Sequence, residues 1–496
     1  MSLTLSLLAV ASLVVSPPEP ASLYAILIGN NAPPIGDTSG APVLRYADDD
    51  AAAFYDFLSG ASTETVLLSV LDADSQRRFP VAAQAARPPT LAELQRHVQR
   101  IAGRIRADRE QGRDAVVFLF FSGHGSRSGG EPQLAMLDGG LSQGKLYRDV
   151  LAPLDARFVH LIVDACHAEA IVRPRDGDRS AAVVDVSATD AKAWVATETL
   201  ARFPNVGAVI ATGVDAQAHE WDAYQGGVFT HEVLSGLRGA ADVNGDRRIE
   251  YSELQAFLLA ANSAVTDDRA RLQVIVRPPP VNQRVALVDA ALFGAVGWVT
   301  IASTALPRFS IGTADGTRLV DANVEAGQDI RLAVPAGVAL IVQAPDGDAR
   351  FTVGPSETVA LADLGRSTST VAARGIGDAL REGLFATPFG PTYYRGVVDT
   401  AALVGIPDAG VRRASAPPGR SVTALVIGVG SAVLAATALT FGGLALDARH
   451  DFYTTQIERD AADARDRYAS FGAAALSLGV GAVVGAGISL WLTTEN

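Results

Sequence analysis

The sequence predicts an α/β protein: a mainly parallel sheet flanked by helices, then a small β-sandwich, then a C-terminal two-helix transmembrane hairpin. Three observations carry this. Short apolar runs, each closed by a polar or glycine-containing turn, alternate with helical stretches up to about residue 265, the pattern of a parallel sheet covered on both faces. From about 290, turn signals recur roughly every ten residues, as in a sandwich. Near the end lie two uncharged stretches of 26 and 27 residues, between Arg420 and Asp447 and between Arg467 and Glu495.

Taking the elements in order, residues 3–15 form an uncharged run too short to span a bilayer, followed by Pro17-Pro18-Glu19-Pro20. The run fits a secretory h-region, although no Lys or Arg precedes it and no clean small-residue cleavage site follows. Residues 1–21 are therefore expected to be a signal peptide or an N-terminal anchor. Leu23 to Ile28 is the first buried strand. A helix from Leu44 to about Leu58 carries Asp48, Asp49 and Asp50 near its start, where carboxylates suit free N–H groups and the helix dipole. Thr65 to Leu71 is the next strand, and 72–88 is a loop rich in Ala, Arg and Pro. Thr90 and Glu93 make a candidate capping box for a helix from Leu91 to about Arg109, on which His97 is expected to be solvated.

Ala115 to Phe121 is a strong apolar run, and Ser122-Gly123-His124-Gly125 closes it. A hairpin is expected near Gln133 to Leu137. Phe158 to Val163 is a second strong run, closed by Asp164-Ala165-Cys166-His167. Val206 to Ala211 is the last strand. If the two strong strands are parallel neighbours, their carboxyl ends bring His124 beside Cys166, the only cysteine. An imidazole within reach turns a thiol into a nucleophilic thiolate. Glycines on both sides of His124 suggest close backbone approach.

These two strand ends together resemble the caspase-like cysteine peptidases, and most closely the metacaspase branch, over roughly residues 22–265. The resemblance implies peptide-bond hydrolysis by a His124–Cys166 dyad, with backbone N–H groups of Gly125 and Cys166 holding the oxyanion. An Asn-Asp-Ala step sits at Asp50 in the caspase-like pattern, and Asp50 and Asp164 then resemble the acidic pocket of metacaspases. Cleavage after Arg or Lys is expected. Gly227-Val228-Phe229-Thr230 resembles the family's segment leading into a helix. The charged, turn-rich stretch 171–180 holds Arg175 and Arg179, two candidate self-cleavage positions. The alternative is a catalytically silent caspase-like scaffold tethered to a membrane and serving in binding.

The loop Asp242 to Glu253 places oxygen donors Asp242, Asn244, Asp246, Glu250 and Glu253 at positions 1, 3, 5, 9 and 12 of a twelve-residue loop, the spacing of an EF-hand calcium site. It departs at position 6, where Arg247 replaces the usual Gly, at a cost of about 1 kcal/mol for a left-handed backbone. Ca2+ is the expected cofactor there, and the dyad itself needs none. A helix follows from Ser252 to Ala261.

The domain plan is therefore a peptidase domain over 22–289, a β-sandwich over 290–365 read as a spacer or interaction module, and a connector over 366–420. Membrane helices over 421–446 and 471–493 are joined by a polar loop over 447–470. As helices the two uncharged stretches reach about 39 and 40 Å, longer than the roughly 30 Å hydrocarbon core. Gly481-x-x-x-Gly485 suits close helix packing. Arginines flank the first span on both sides, so the charge rule barely orients it. An exported N-terminus would place the peptidase domain outside the cytoplasm, on a bacterial-type inner membrane. A net charge of −13 argues against nucleic acid as a partner; the expected partners are protein or peptide substrates and the membrane.

Overall fold

The computed structural model describes residues 21–403 except 37–39, 129–130, 166–199, 213–219, 267–270, 291–295, 303–307, 346 and 366–381. The expected signal segment (residue 21 apart), Cys166, Arg175, Arg179 and both expected membrane helices lie outside the described residues. Among the described residues, no helix is long and apolar enough to cross a membrane.

In chain order the elements that build the site are β1 (Ser22–Asn30), α1 (Ala47–Leu58), β2 (Glu64–Ser69), α2 (Ala73–Arg78), α3 (Pro80–Ala85), α4 (Leu91–Glu110) and β3 (Ala115–Gly123). There follow β4 (Gly125–Ser128), β5 (Glu131–Met136), β6 (Gly139–Ser142), β7 (Phe158–Asp164), β8 (Val206–Thr212), β9 (Glu220–Trp221) and β10 (Gly226–Gly227). Then come α5 (Val228–Ser235), β11 (Arg248–Glu250), α6 (Tyr251–Asn262), β12 (Gln273–Arg277) and β13 (Ala286–Asp289).

Six strands form the main sheet in the order β12-β8-β7-β3-β1-β2. The five strands from β8 to β2 are parallel, and β12 closes one edge antiparallel to β8. The mainly parallel sheet is as expected; the antiparallel edge was not, because QVIVR is short and only half-buried. Side chains alternate between faces. Tyr24, Ile26, Val117, Leu119, Val159 and Leu161 pack with α4 on one side. Ala25, Leu27, Phe118, Phe120 and Ile162 pack with α1, α5 and α6 on the other.

Two local expectations are corrected. The 72–88 segment is not a plain loop but holds α2 and α3. The Asp72 side chain caps α2 by accepting from the N–H groups of Asp74 and Ser75, and Pro80 starts α3. Thr90 does cap α4, accepting from the Glu93 N–H at 3.1 Å. His97 is not solvated: its side chain is only 13% exposed, between Glu93 and Arg100. The hairpin expected near 133–137 is the centre of a three-stranded antiparallel sheet, β4-β5-β6.

The β-rich part contains β14 (Gly297–Ile301), β15 (Arg308–Thr313), β16 (Arg318–Asn323), β17 (Ile330–Val334), β18 (Leu340–Ala344), β19 (Gly347–Phe351) and β20 (Thr358–Ala360). They form a three-stranded sheet, β17-β14-β20, and a four-stranded sheet, β16-β15-β18-β19, as the turn spacing predicts. It does not stand apart as a spacer. Its core residues Val299, Ile311, Val320 and Leu332 belong to the same apolar cluster as Phe229, Val233 and Phe257 of the peptidase half. The described end of the expected connector also packs: Phe385 and Phe389 are buried against Phe257, and helix α7 (Pro391–Leu403) follows.

Candidate active site

The chemistry-bearing side chains gather at the carboxyl ends of β3 and β7, the edge where ligands meet open α/β sheets. The parallel register sets Ser122 opposite Asp164. His124 comes two residues after Ser122, at the break between β3 and β4, and is buried. Gly123 makes that break possible. Its φ is +155°, and a Cβ there would lie 2.9 Å from the Asn30 carbonyl oxygen, so the close approach expected at this glycine is real.

His124 Nε2 lies 2.9 Å from the Pro42 carbonyl oxygen. A carbonyl only accepts, so Nε2 carries the proton and donates it. In the neutral ring the lone pair then sits on Nδ1, which leaves that nitrogen chemically able to accept a proton. Sequence reasoning named no third member for the dyad. The Pro42 carbonyl orients the His124 ring, and no side-chain motif could have revealed it.

Asp50 and Asp164, the two carboxylates expected to line a pocket, both lie beside Gly227. Asp50, in the first turn of α1, accepts from Ser122 Oγ and from the Gly227 N–H, both at 2.8 Å. Asp164, the last residue of β7, accepts from Thr230 Oγ1 at 3.0 Å. Gly227 lies between them: a Cβ on it would sit 2.7 Å from Asp50 Oδ2 and 2.8 Å from Asp164 Oδ2. Burial, reinforced by the neighbouring Asp164 charge, pushes the Asp50 carboxyl well above its usual range. Burial likewise raises Asp164, with Glu220 adding to it. Two buried like charges resist joint ionisation, and a guest cation would relieve both.

The reading of Asp48 and Asp49 as caps of their own helix is corrected. The Tyr46 cap position has no side-chain partner of its own. Instead Asn31 Oδ1 accepts from the N–H of Ala47 and Asp48, and Glu220 Oε1 accepts from those of Arg45 and Tyr46. Capped from outside, the helix has its acids available elsewhere. Asp48 accepts from Asn31 Nδ2 and the Asp72 N–H, and Asp49 pairs with Arg78 at 2.9 Å.

Ser122, Thr230 and Gly227, which bond or separate these two carboxylates, were not singled out by sequence as their partners. Their signal was the pair of segments SGHG and GVFT, read for other reasons. Gly227 yields a direct prediction. With φ of −69°, alanine strains no backbone there, but its methyl intrudes on both carboxylates. Gly227→Ala is expected to lower kcat/KM for arginyl peptides by about 10²-fold, with any stability loss within roughly 1–3 kcal/mol. Kinetics beside a thermal melt checks this, and unchanged kcat/KM would refute the pocket geometry.

The 242–253 loop keeps its oxygens close to its own backbone. Asp242 accepts from the N–H groups of Gly245 and Arg247, and Glu253 accepts from those of Val243 and Glu250. Arg247 takes the left-handed conformation that position 6 requires, φ +64°. Among the described residues, no three His, Cys, Asp or Glu side chains are grouped to hold a metal; Asp246 is exposed and Glu250 faces Arg284.

The model of the caspase domain matches residues 22–283. No curated protein matches the chain. The matched stretch covers more than half of the sequence and both strand ends that carry His124 and Asp164, so the chain belongs to the caspase-domain family of cysteine-type peptidases.

Proposed function

We propose that this protein is a cysteine endopeptidase that cleaves after Arg or Lys through Cys166 and His124. The observation that carries it is the register of β3 and β7. Ser122 is opposite Asp164 on neighbouring parallel strands, which run about 4.8 Å apart, and in the sequence His124 and Cys166 each come two residues after one of that pair.

In the proposed reaction the Cys166 thiol gives its proton to His124 Nδ1, and the sulfur attacks the scissile carbonyl. The N–H groups of Gly125 and Cys166 hold the resulting oxyanion, a contribution of about 3 kcal/mol per donor. Collapse breaks the C–N bond, and the imidazolium returns its proton to the departing amine. Water, with His124 as base, then hydrolyses the thioester. The Pro42 carbonyl keeps the ring oriented throughout. Specificity comes from Asp50 and Asp164: a guanidinium or ammonium entering beside Gly227 compensates the two buried carboxyls. A fluorogenic panel with Arg, Lys and Asp at the position before the cut tests this. Preference for Asp would overturn the pocket assignment.

Three finer elements are proposed with it. The 421–446 and 471–493 helices tether the enzyme to a membrane; a protein that stays in the soluble fraction after cell rupture would exclude this. The bonds after Arg175 and Arg179 are self-cleavage positions, and intact mass after long incubation would count against them. Calcium binds the 242–253 loop once Asp246 and Glu250 turn inward, supported by the ready left-handed turn at Arg247. Calorimetry should then show heat at millimolar Ca2+ that is lost in Asp242→Asn.

A further inference from the structure

We infer that the β-sandwich is part of the specificity machinery: its Arg318–Asp321 pair is a positioning pair that clasps the pocket wall formed by residues 224–231. This rests on the reading of Asp50 and Asp164 as a pocket for a basic side chain.

The wall is a short segment whose two ends do different things. Toward the pocket, the Gly227 N–H donates to Asp50 and Thr230 Oγ1 donates to Asp164. Away from it, Tyr224 and His231 stack on each other with ring centroids 3.9 Å apart. Strand β16 of the sandwich grips that stacked pair. Asp321 Oδ2 accepts from His231 Nε2 at 2.7 Å. Arg318 bonds both oxygens of Asp321, each at 2.6 Å, and its guanidinium lies 5.8 Å from the Tyr224 ring centre. The Asp321 N–H also donates to Ser235 Oγ at the end of α5. Asp321 and His231 are both buried, so these bonds are made in a low-dielectric setting where losing one partner strands the other.

A second tie runs from the peptidase side. Arg78 pairs with Asp49, the neighbour of Asp50, and donates to the Gln225 carbonyl at 3.2 Å. Gln225 has a left-handed backbone, φ +47°, so the wall enters the pocket through a conformation that needs support from outside. The wall is thus held between Arg78 on one side and Arg318–Asp321 on the other. Because Thr230 and His231 are adjacent, a shift of the sandwich is transmitted to Asp164 through one peptide unit. A module that merely spaced the peptidase from another part of the chain would have no reason to set a bidentate ion pair against the helix that builds the pocket.

The test uses the full chain in detergent and three variants: Asp321→Ala, Asp321→Asn, and Val342→Ala, the last removing buried packing in the sandwich away from β16. The readouts are KM and kcat for an arginyl peptide, the inhibition constant of benzamidine as a cation probe, and the rate of Cys166 alkylation by iodoacetamide. Asp321→Ala is expected to raise KM and the benzamidine constant tenfold or more, with kcat and alkylation within threefold of wild type. Asp321→Asn, which keeps an acceptor for His231, should recover most of this. Val342→Ala should lower the melting temperature but leave KM alone. Unchanged KM in Asp321→Ala, or in a fourth variant, Arg318→Gln, made should the alanine variant not fold, overturns the inference. So does an equal rise in KM for Val342→Ala. A wild-type enzyme that alkylates at Cys166 yet ignores basic peptides fails earlier, at the pocket reading, and the positioning role falls with it.

Discussion

Cys166→Ala is expected to lower hydrolysis of arginyl peptides by about 10⁴-fold or more, because no other group on the chain can form the thioester. The sequence holds a single cysteine, so no second thiol can substitute. His124→Ala should lose nearly as much, and the double variant little more than either alone, since the two groups act as one unit. The separating measurement is binding. Asp50 and Asp164 are bonded to Ser122, Gly227 and Thr230 rather than to His124, so benzamidine should inhibit wild type and bind Cys166→Ala with the same affinity within about twofold. A Cys166→Ala enzyme keeping a tenth of its activity would end the nucleophile assignment. Intact hydrolysis in His124→Ala would leave the cysteine but remove the base.

How much of this was legible beforehand depends on how local the determining physics is. The strands of the main sheet were visible because both faces are buried, so each reads as an unbroken apolar run such as AVVFLFF. Helices α2 and α3 were missed because six residues are too few to show a period, and their starts depend on single residues, Asp72 and Pro80. The acidic start of α1 misled for a different reason. A row of Asp at a helix N-terminus satisfies a local rule, but Asn31 and Glu220, distant in the chain, already occupy the free N–H groups. The acids instead meet Ser122 and Gly227, Arg78, and the Asp72 turn. His124 and Asp164 were legible as strand-end residues. The Pro42 carbonyl was not, because a backbone acceptor leaves no mark in composition or spacing.

The sandwich shows the same limit at larger scale. Its turns announced the architecture, yet nothing in 290–365 alone announced that Val299, Ile311 and Leu332 continue the peptidase core. Asp321 lies between the core residues Val320 and Ala322 of β16 and so faces the other way, a buried charge that has to find a partner. It finds His231 and Arg318. A half-molecule ending near 289 would expose that apolar face and strand His231, so truncation there is expected to give aggregation rather than a free peptidase domain.

Replacing Asp164 by Asn is expected to trade function for stability. In the folded protein burial raises this carboxyl to about 7, against roughly 3.9 in an unfolded chain. A raised acid means the folded state holds a proton that the unfolded state has lost. Stability therefore falls as pH climbs from about 4 toward 7, then levels off once the folded group also ionises. Asn carries no such proton, and its amide oxygen can still accept from Thr230 Oγ1. At pH 8 the variant should be more stable by on the order of 2–4 kcal/mol, while at pH 4 the two should unfold alike. Asp50→Asn should move the same way, since the Gly227 N–H can still donate to the amide oxygen and Ser122 can turn its hydroxyl to accept. Because the carboxyls interact, the wild-type pair titrates as a unit, and its kcat/KM for arginyl peptides should rise with pH through the neutral range. Each Asn variant should lose that rise together with about 10²-fold of the wild-type kcat/KM at pH 8. Urea unfolding at both pH values, beside the kinetic pH profile, decides the matter. A variant that is less stable at pH 8, or that still prefers Arg, would show that these carboxyls are structural anchors held for the fold rather than strained acids kept for a cationic guest.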